Sequence, residues 1–140
     1  MSKGLGPGYP FRQTDGGRAL SRRPRQTKDC TVRALALARG LSYDEAYDLL
    51  MAAGRGCSRG FHLGDWLKVQ SWAKKTSFQA IKGQKRMNPV RFCAEHPTGT
   101  FICKAAKHVF AVIDGVLLDD GIVPEARCIY TAWAVGPRKP

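Results

Sequence analysis

The stretch KHVFAVIDGVLLDD, Lys107–Asp120, decides how the chain folds. Val109, Phe110, Val112 and Ile113 suit a pleated strand, and Asp114-Gly115 is a type I′ turn signal. Val116-Leu117-Leu118 then resumes the strand, so the segment reads as a β-hairpin. With Asp114 and Gly115 as the loop, Ile113 faces Val116, Phe110 faces Asp119 and His108 faces Gly121. Side chains alternate along a strand, which puts His108, Phe110, Val112, Leu117 and Asp119 on one face. Asp119 lies one diagonal step from His108, while Asp120 points the other way. An imidazole beside a carboxylate suggests an oriented general base, which needs a nucleophile from elsewhere in the chain.

Working outward, Thr100–Ala105 and Arg127–Val135 also read as strands, and the apolar periodicity before them is helical. Asp29 is placed to N-cap a helix over Cys30–Arg39, in which Val32, Ala34, Leu35, Ala36, Leu37 and Ala38 leave little polar surface. Gly40 supplies its stop. A capping box, Ser42-x-x-Glu45, opens an amphipathic second helix that carries Tyr43, Ala46, Tyr47 and Leu50 on one side and ends near Gly54. The loop GRGCSRGF leads to a third helix around Leu63–Lys74. Ser77–Ile81 is a short strand, KGQKRM a basic loop, and Asn88-Pro89 the start of a short helix that stops before Pro97. Helices first and antiparallel strands afterwards make an α+β fold.

The chain has 140 residues, enough for one domain with a core that needs no disulfide or metal. Seven of the 23 basic residues but only Asp15 of the acids fall within Met1–Lys28, so half of the +12 formal charge sits in the first fifth. Rich in Gly, Pro and Arg and without apolar periodicity, residues 1–25 read as a flexible basic arm in front of a domain over 26–140. Removing the arm should leave folding nearly intact; it reads first as a solvated tail that aids solubility, with weak contact with nucleic acid or another acidic surface as the alternative use. No signal-peptide pattern and no bilayer-length apolar run is present, which points to a cytoplasmic protein without membrane contact. Five scattered cysteines, with no CxxC pair, read as free thiols of a reducing compartment.

Among those cysteines, Cys30 alone stands at the start of a strong helix. The unpaired N–H groups and positive dipole end there favour a thiolate, and the Cys30 N–H is placed to donate to an oxyanion. At this point KDCTVRALALARGLSYDEAYDLL (Lys28–Leu50) and HPTGTFICKAAKHVFAVIDGVLLDD (His96–Asp120) resemble the papain-like cysteine peptidase superfamily. The likeness is to its minimal members: bacteriocin-processing peptidases, NlpC-type hydrolases and small bacteriophage-encoded proteins. The resemblance implies a buried Cys-bearing helix packed on a C-terminal antiparallel sheet. It implies a thiol protease that hydrolyses peptide or isopeptide bonds of a polypeptide substrate, in the host cytoplasm if viral, with no cofactor. Carried over by position, the nucleophile is Cys30, the base His108 and the orienting acid Asp119, with Asp114 and Asp120 as alternatives if the register shifts. An oxyanion-hole Gln five or six residues before the nucleophile is common in relatives. Here Gln26 is four before Cys30, and Arg25 and Lys28 compete for that space. Thr31 and Val32 replace the family's usual Gly or Trp after the nucleophile.

Other chemistries are weaker. Cys57-x4-His62, Cys93-x2-His96 and Cys103-x4-His108 lack the paired spacing of structural zinc motifs, so no metal is expected. Trp66 and Trp72 read as packing residues, and GRGCSRGF lacks the Gly-Lys-Ser/Thr of a phosphate loop. The rival of another class is a papain-like fold kept as a binding module, with the arm and KGQKRM contacting a host protein or nucleic acid.

Overall fold

The computed structural model describes residues 7–54 and 63–136, and in them the chain is α+β. Strands β1 (Phe11–Gln13), β2 (Ala73–Ser77), β3 (Thr100–Ala105), β4 (His108–Ile113), β5 (Val116–Asp119) and β6 (Ile129–Val135) form one sheet in the order β1-β5-β4-β3-β6-β2. Four α-helices accompany it among the described residues: α1 (Cys30–Arg39), α2 (Tyr43–Ala52), α3 (Leu63–Leu67) and α4 (Pro89–Glu95). The loop GRGCSRGF lies, apart from Gly54, outside the described residues, as do Cys57 and His62.

The hairpin has the register its turn requires: Ile113 pairs with Val116, Val112 with Leu117 and Ala111 with Leu118. Asp114 and Gly115 both take positive φ, 49° and 78°, as a type I′ turn demands. Alternation then splits the core between the two faces of the sheet. Ile102, Val109, Trp133 and Val135 pack against the α1–α3 side, with Leu35, Tyr43, Leu50 and Leu67. Cys103, Phe110, Val112, Leu117 and Ala132 pack on the other side against Phe92 of α4 and Tyr9.

Helix α1 keeps the expected bounds, and Gly40 closes it in the left-handed region at φ 66°. Asp29 occupies the N-cap position, but its side chain makes no cap hydrogen bond. The carboxylate turns inward instead and is buried against Tyr43 and Arg33. Helix α2 has both halves of the Ser42–Glu45 capping box, and Asn88 caps α4 with Pro89 in its first turn.

Three expectations are corrected. The third helix ends at Leu67 rather than Lys74, because Gln70 binds the Leu67 and Trp66 carbonyls and turns the chain. Residues 73–77 then become β2, paired antiparallel with β6, in place of a strand over Ser77–Ile81. The apolar edge of β6 gains more from a ladder there than 68–74 gains from a further helical turn. The sheet is also mixed, not purely antiparallel, because β1 pairs parallel with β5 through Phe11–Leu117, Arg12–Leu118 and Gln13–Asp119.

That strand belongs to the supposed flexible arm. Its described part, 7–25, is instead built into the fold. Tyr9 is buried, with its hydroxyl on the Val123 carbonyl, and Gly8 donates to Glu125. Arg18 bridges Asp29 and Asp120, while Arg22 and Arg23 engage Asp44 and Asp48 on α2. The Arg23 guanidinium also lies 3.8 Å from the Tyr47 ring centroid. Three of the five described arginines of the arm are thus paired with acids of the domain, with Tyr9 as an apolar anchor. Composition alone hides this, because each contact comes from a different part of the chain.

Candidate active site

Helix α1 and strand β4, on which it packs, bring their first residues together. Cys30 opens α1 and packs against the α1–α3 core, whereas His108 opens β4 and shares the face of Phe110, 6.0 Å away between ring centroids. Being first in its strand, His108 reaches past the rim of the sheet. There the thiol of Cys30 and the imidazole come close enough for each to shift the ionisation of the other. The Nε2 atom of His108 lies 2.5 Å from Oδ2 of Asp119. With Nε2 occupied, Nδ1 is the ring nitrogen left for sulfur, and the carboxylate fixes that arrangement.

The surroundings set the protonation of this pair. Asp119 first, then Cys30, raises the pKa of His108 from its ordinary 6.5 to about 9, against the opposing effect of burial. For Cys30 burial is the largest single influence and opposes ionisation. It is outweighed by the nearby His108, the Val109 backbone N–H and the charge of Arg33, and the thiol pKa falls below the ordinary value. The two shifts favour a thiolate beside an imidazolium, and they titrate as a pair. Cys93 and Cys103 show the contrast. Burial drives Cys93 up to about 11 and Cys103 also upward, as expected for cysteines acting as small core hydrophobes.

Behind Asp119 lies a charge cluster that sequence reasoning missed. Arg33, one turn along α1 from Cys30, places Nη2 3.3 Å from Oδ1 of Asp119 and Nη1 2.5 Å from Asp29. Asp29 is fully buried and also accepts from Arg18 and from the Tyr43 hydroxyl at 2.7 Å. Arg18 reaches across to Asp120 at 3.0 Å. A signal for Arg33 exists in the sequence: it is the only charge within the otherwise apolar run of α1 before Arg39, four residues after Asp29. Nothing local signals Arg18.

Of the three acids open at the sequence level, Asp119 is on the ring. Asp120 is held by Arg18, and Asp114 accepts from the Gly99 N–H at the far end of the hairpin. The Gln26 amide nitrogen donates to the Thr27 carbonyl at 3.1 Å. Gln26 lines a pocket with Arg18, Asp29, Arg33 and Asp120 that adjoins the cleft beside His108, since Arg33 and Asp120 line both. Lys28 takes φ 52°, a left-handed turn uncommon for a side-chain-bearing residue, just before the chain enters α1.

His96 stacks on Phe92 at 4.0 Å and bonds the Phe92 carbonyl, which makes it a packing residue of α4. Among the described residues no group of three or more His, Cys, Asp or Glu side chains is placed to hold a metal ion. No helix among them is long and apolar enough to cross a membrane. Compared with known proteins, the chain matches no family model, no curated protein and no solved structure.

Proposed function

We propose that this chain is a papain-like, thiol-dependent acyl-transfer enzyme that hydrolyses peptide or isopeptide bonds. The observation that carries the reading is the His108 ring held by Asp119 beside Cys30, whose sulfur stands at the N-terminus of a buried helix and whose ionisation His108 favours. In this reading the Cys30 thiolate attacks the carbonyl carbon, and the carbonyl electrons move to oxygen. First-turn N–H groups of α1, which have no intrahelical acceptor, receive the oxyanion. As the C–N bond breaks, His108 gives its proton to the leaving amine. His108 then takes a proton from water, whose oxygen attacks the thioester and releases the acid and the Cys30 thiolate. Asp119 keeps the ring oriented throughout, and Arg33 holds Asp119.

Alkylation tests the nucleophile directly. Cys30 in the folded chain should react with iodoacetamide faster than Cys30 in the urea-unfolded chain, and His108→Ala should abolish the advantage. Equal rates in folded and unfolded chains would remove the enzyme reading. Co-purification tests the class: a partner cleaved or covalently trapped by wild type and merely retained by Cys30→Ala supports hydrolysis. Equal, uncleaved capture by both forms supports the binding-module alternative. A Gln26→Ala chain that keeps full activity would assign the oxyanion site to α1 without Gln26.

A further inference from the structure

A cleft of about 620 Å³ opens beside the His108 ring, the size of a substrate site. The turn carrying Lys107 walls one side and the loop from Gly121 to Arg127 the other. Cys30 is not part of that wall, so the cleft lies on the imidazole side of the sulfur. A general acid faces the amine it protonates, and whatever chain that amine carries away lies against the same ring.

The charges lining the cleft are unequal in availability. Asp119 is engaged by His108 and Arg33, and Asp120 by Arg18 and Arg33. Lys107 and Arg127, in contrast, have no ion-pair partner among the described residues. Lys107 holds φ 54°, where glycine would be less strained, so the turn carries a cationic side chain at a conformational cost. Ile122 and Pro124 line the cleft as well, both exposed, Ile122 at 58%. No Phe, Tyr or Trp lines the cleft, so nucleic-acid bases would find no stacking platform there.

We propose that this cleft receives the leaving-group side of an acidic polypeptide substrate, with Lys107 and Arg127 pairing its side-chain carboxylates and Ile122 meeting an apolar neighbour. The direction of the bound segment rests on the acyl-transfer reading; the preference for carboxylates rests on the cleft itself.

The test uses the full chain carrying Cys30→Ala, which holds a peptide without turning it over. Fluorescence anisotropy is measured with a labelled, C-terminally amidated peptide of alternating Glu and Leu, with its Gln and Leu counterpart, and with a single-stranded oligonucleotide of equal charge. The Glu peptide should bind about tenfold tighter than the Gln peptide at low salt, and the gap should close as salt is raised to about 0.5 M. Adding Lys107→Gln and Arg127→Gln should erase most of that tenfold difference, with circular dichroism confirming the fold. Should the double variant not fold, the Glu-against-Gln comparison and its salt dependence in the parent chain decide the matter. Equal binding of the two peptides, an unchanged gap in a folded double variant, or tighter binding of the oligonucleotide would each overturn the proposal. Iodoacetamide labelling of wild type separates this from the reading it rests on. A reactive Cys30 with no carboxylate preference sinks the cleft assignment alone, whereas an inert Cys30 with a Lys107- and Arg127-dependent preference sinks the enzyme.

Discussion

The imidazole of His108 is held at Nε2 by the Asp119 carboxylate and lies beside the Cys30 sulfur, and that determines how the site answers to pH. A histidine whose pKa is raised from 6.5 to about 9 stabilises the fold fully below pH 6.5 and loses that contribution as pH climbs through 9. The lowered thiol of Cys30 acts in the opposite sense: its contribution is present above the ordinary thiol value and lost as pH falls through its folded one. The thiolate–imidazolium pair is therefore populated between the two, and turnover should show a bell whose alkaline limb lies near pH 9. Asp119→Asn removes the main cause of the raised value, so that limb should move down toward 6.5 in a pH–rate or pH–alkylation profile. A limb that stays at 9 would mean that Asp119 does not set the charge on the ring. Arg33 holds both Asp119 and Asp29 while almost wholly buried. Arg33→Gln would leave these carboxylates short of a partner and should cost about 3 kcal/mol or more in urea denaturation. Asp119 was legible in the sequence because a two-residue turn fixes which positions share a face. Arg33 was not, since a lone arginine in an apolar helix says nothing about which carboxylates the fold will bring to it.

At the level of elements, the site depends on one turn being right. A slip of one residue in the β4–β5 pairing would carry Asp119 to the opposite face from His108. Asp114-Gly115 prevents this, and Gly115 is hemmed in as well as left-handed. A Cβ added there would sit 3.3 Å from the Cys93 carbonyl oxygen and from Cα of Pro97. Gly115→Ala should therefore destabilise the chain by about 1–2 kcal/mol from the backbone alone and depress Cys30 alkylation through the misplaced ring. Retained stability together with retained reactivity would show that the turn tolerates a side chain. Elements whose signals are local, such as the Ser42–Glu45 box, the Asn88-Pro89 start and the Gly40 stop, were legible to the residue. The segment 68–77 was misread because its identity is decided by β6: Ala73 to Ser77 carry little strand preference of their own and take their form from Val135 to Thr131.

For the molecule as a whole, the N-terminal segment is the part composition describes worst. Gly, Pro and Arg without period suggest a solvated tail. Yet Arg18, Arg22 and Arg23 find acids on α2, before α1 and after β5, all distant in sequence, and Tyr9 anchors the loop that walls the cleft. These arginines are paired within the fold, so they add less to any polyanion contact than their number suggests. Truncation through Arg25 removes β1, the buried Tyr9 and one of the partners of buried Asp29. Losing Tyr9 burial costs about 1.5–3 kcal/mol, and uncovering Asp29 and Asp120 adds to it. At about 3–4 °C per kcal/mol for a chain of this size, the truncated protein should melt more than about 10 °C below the full chain. Peptide binding in the Cys30→Ala background should weaken along with it, because the Gly121–Arg127 wall loses its Tyr9 anchor. A truncated chain that melts within a few degrees of the full one would return the segment to the status of a tail. A large fall in melting temperature with unchanged peptide affinity would instead separate the segment's role in stability from any part in shaping the cleft.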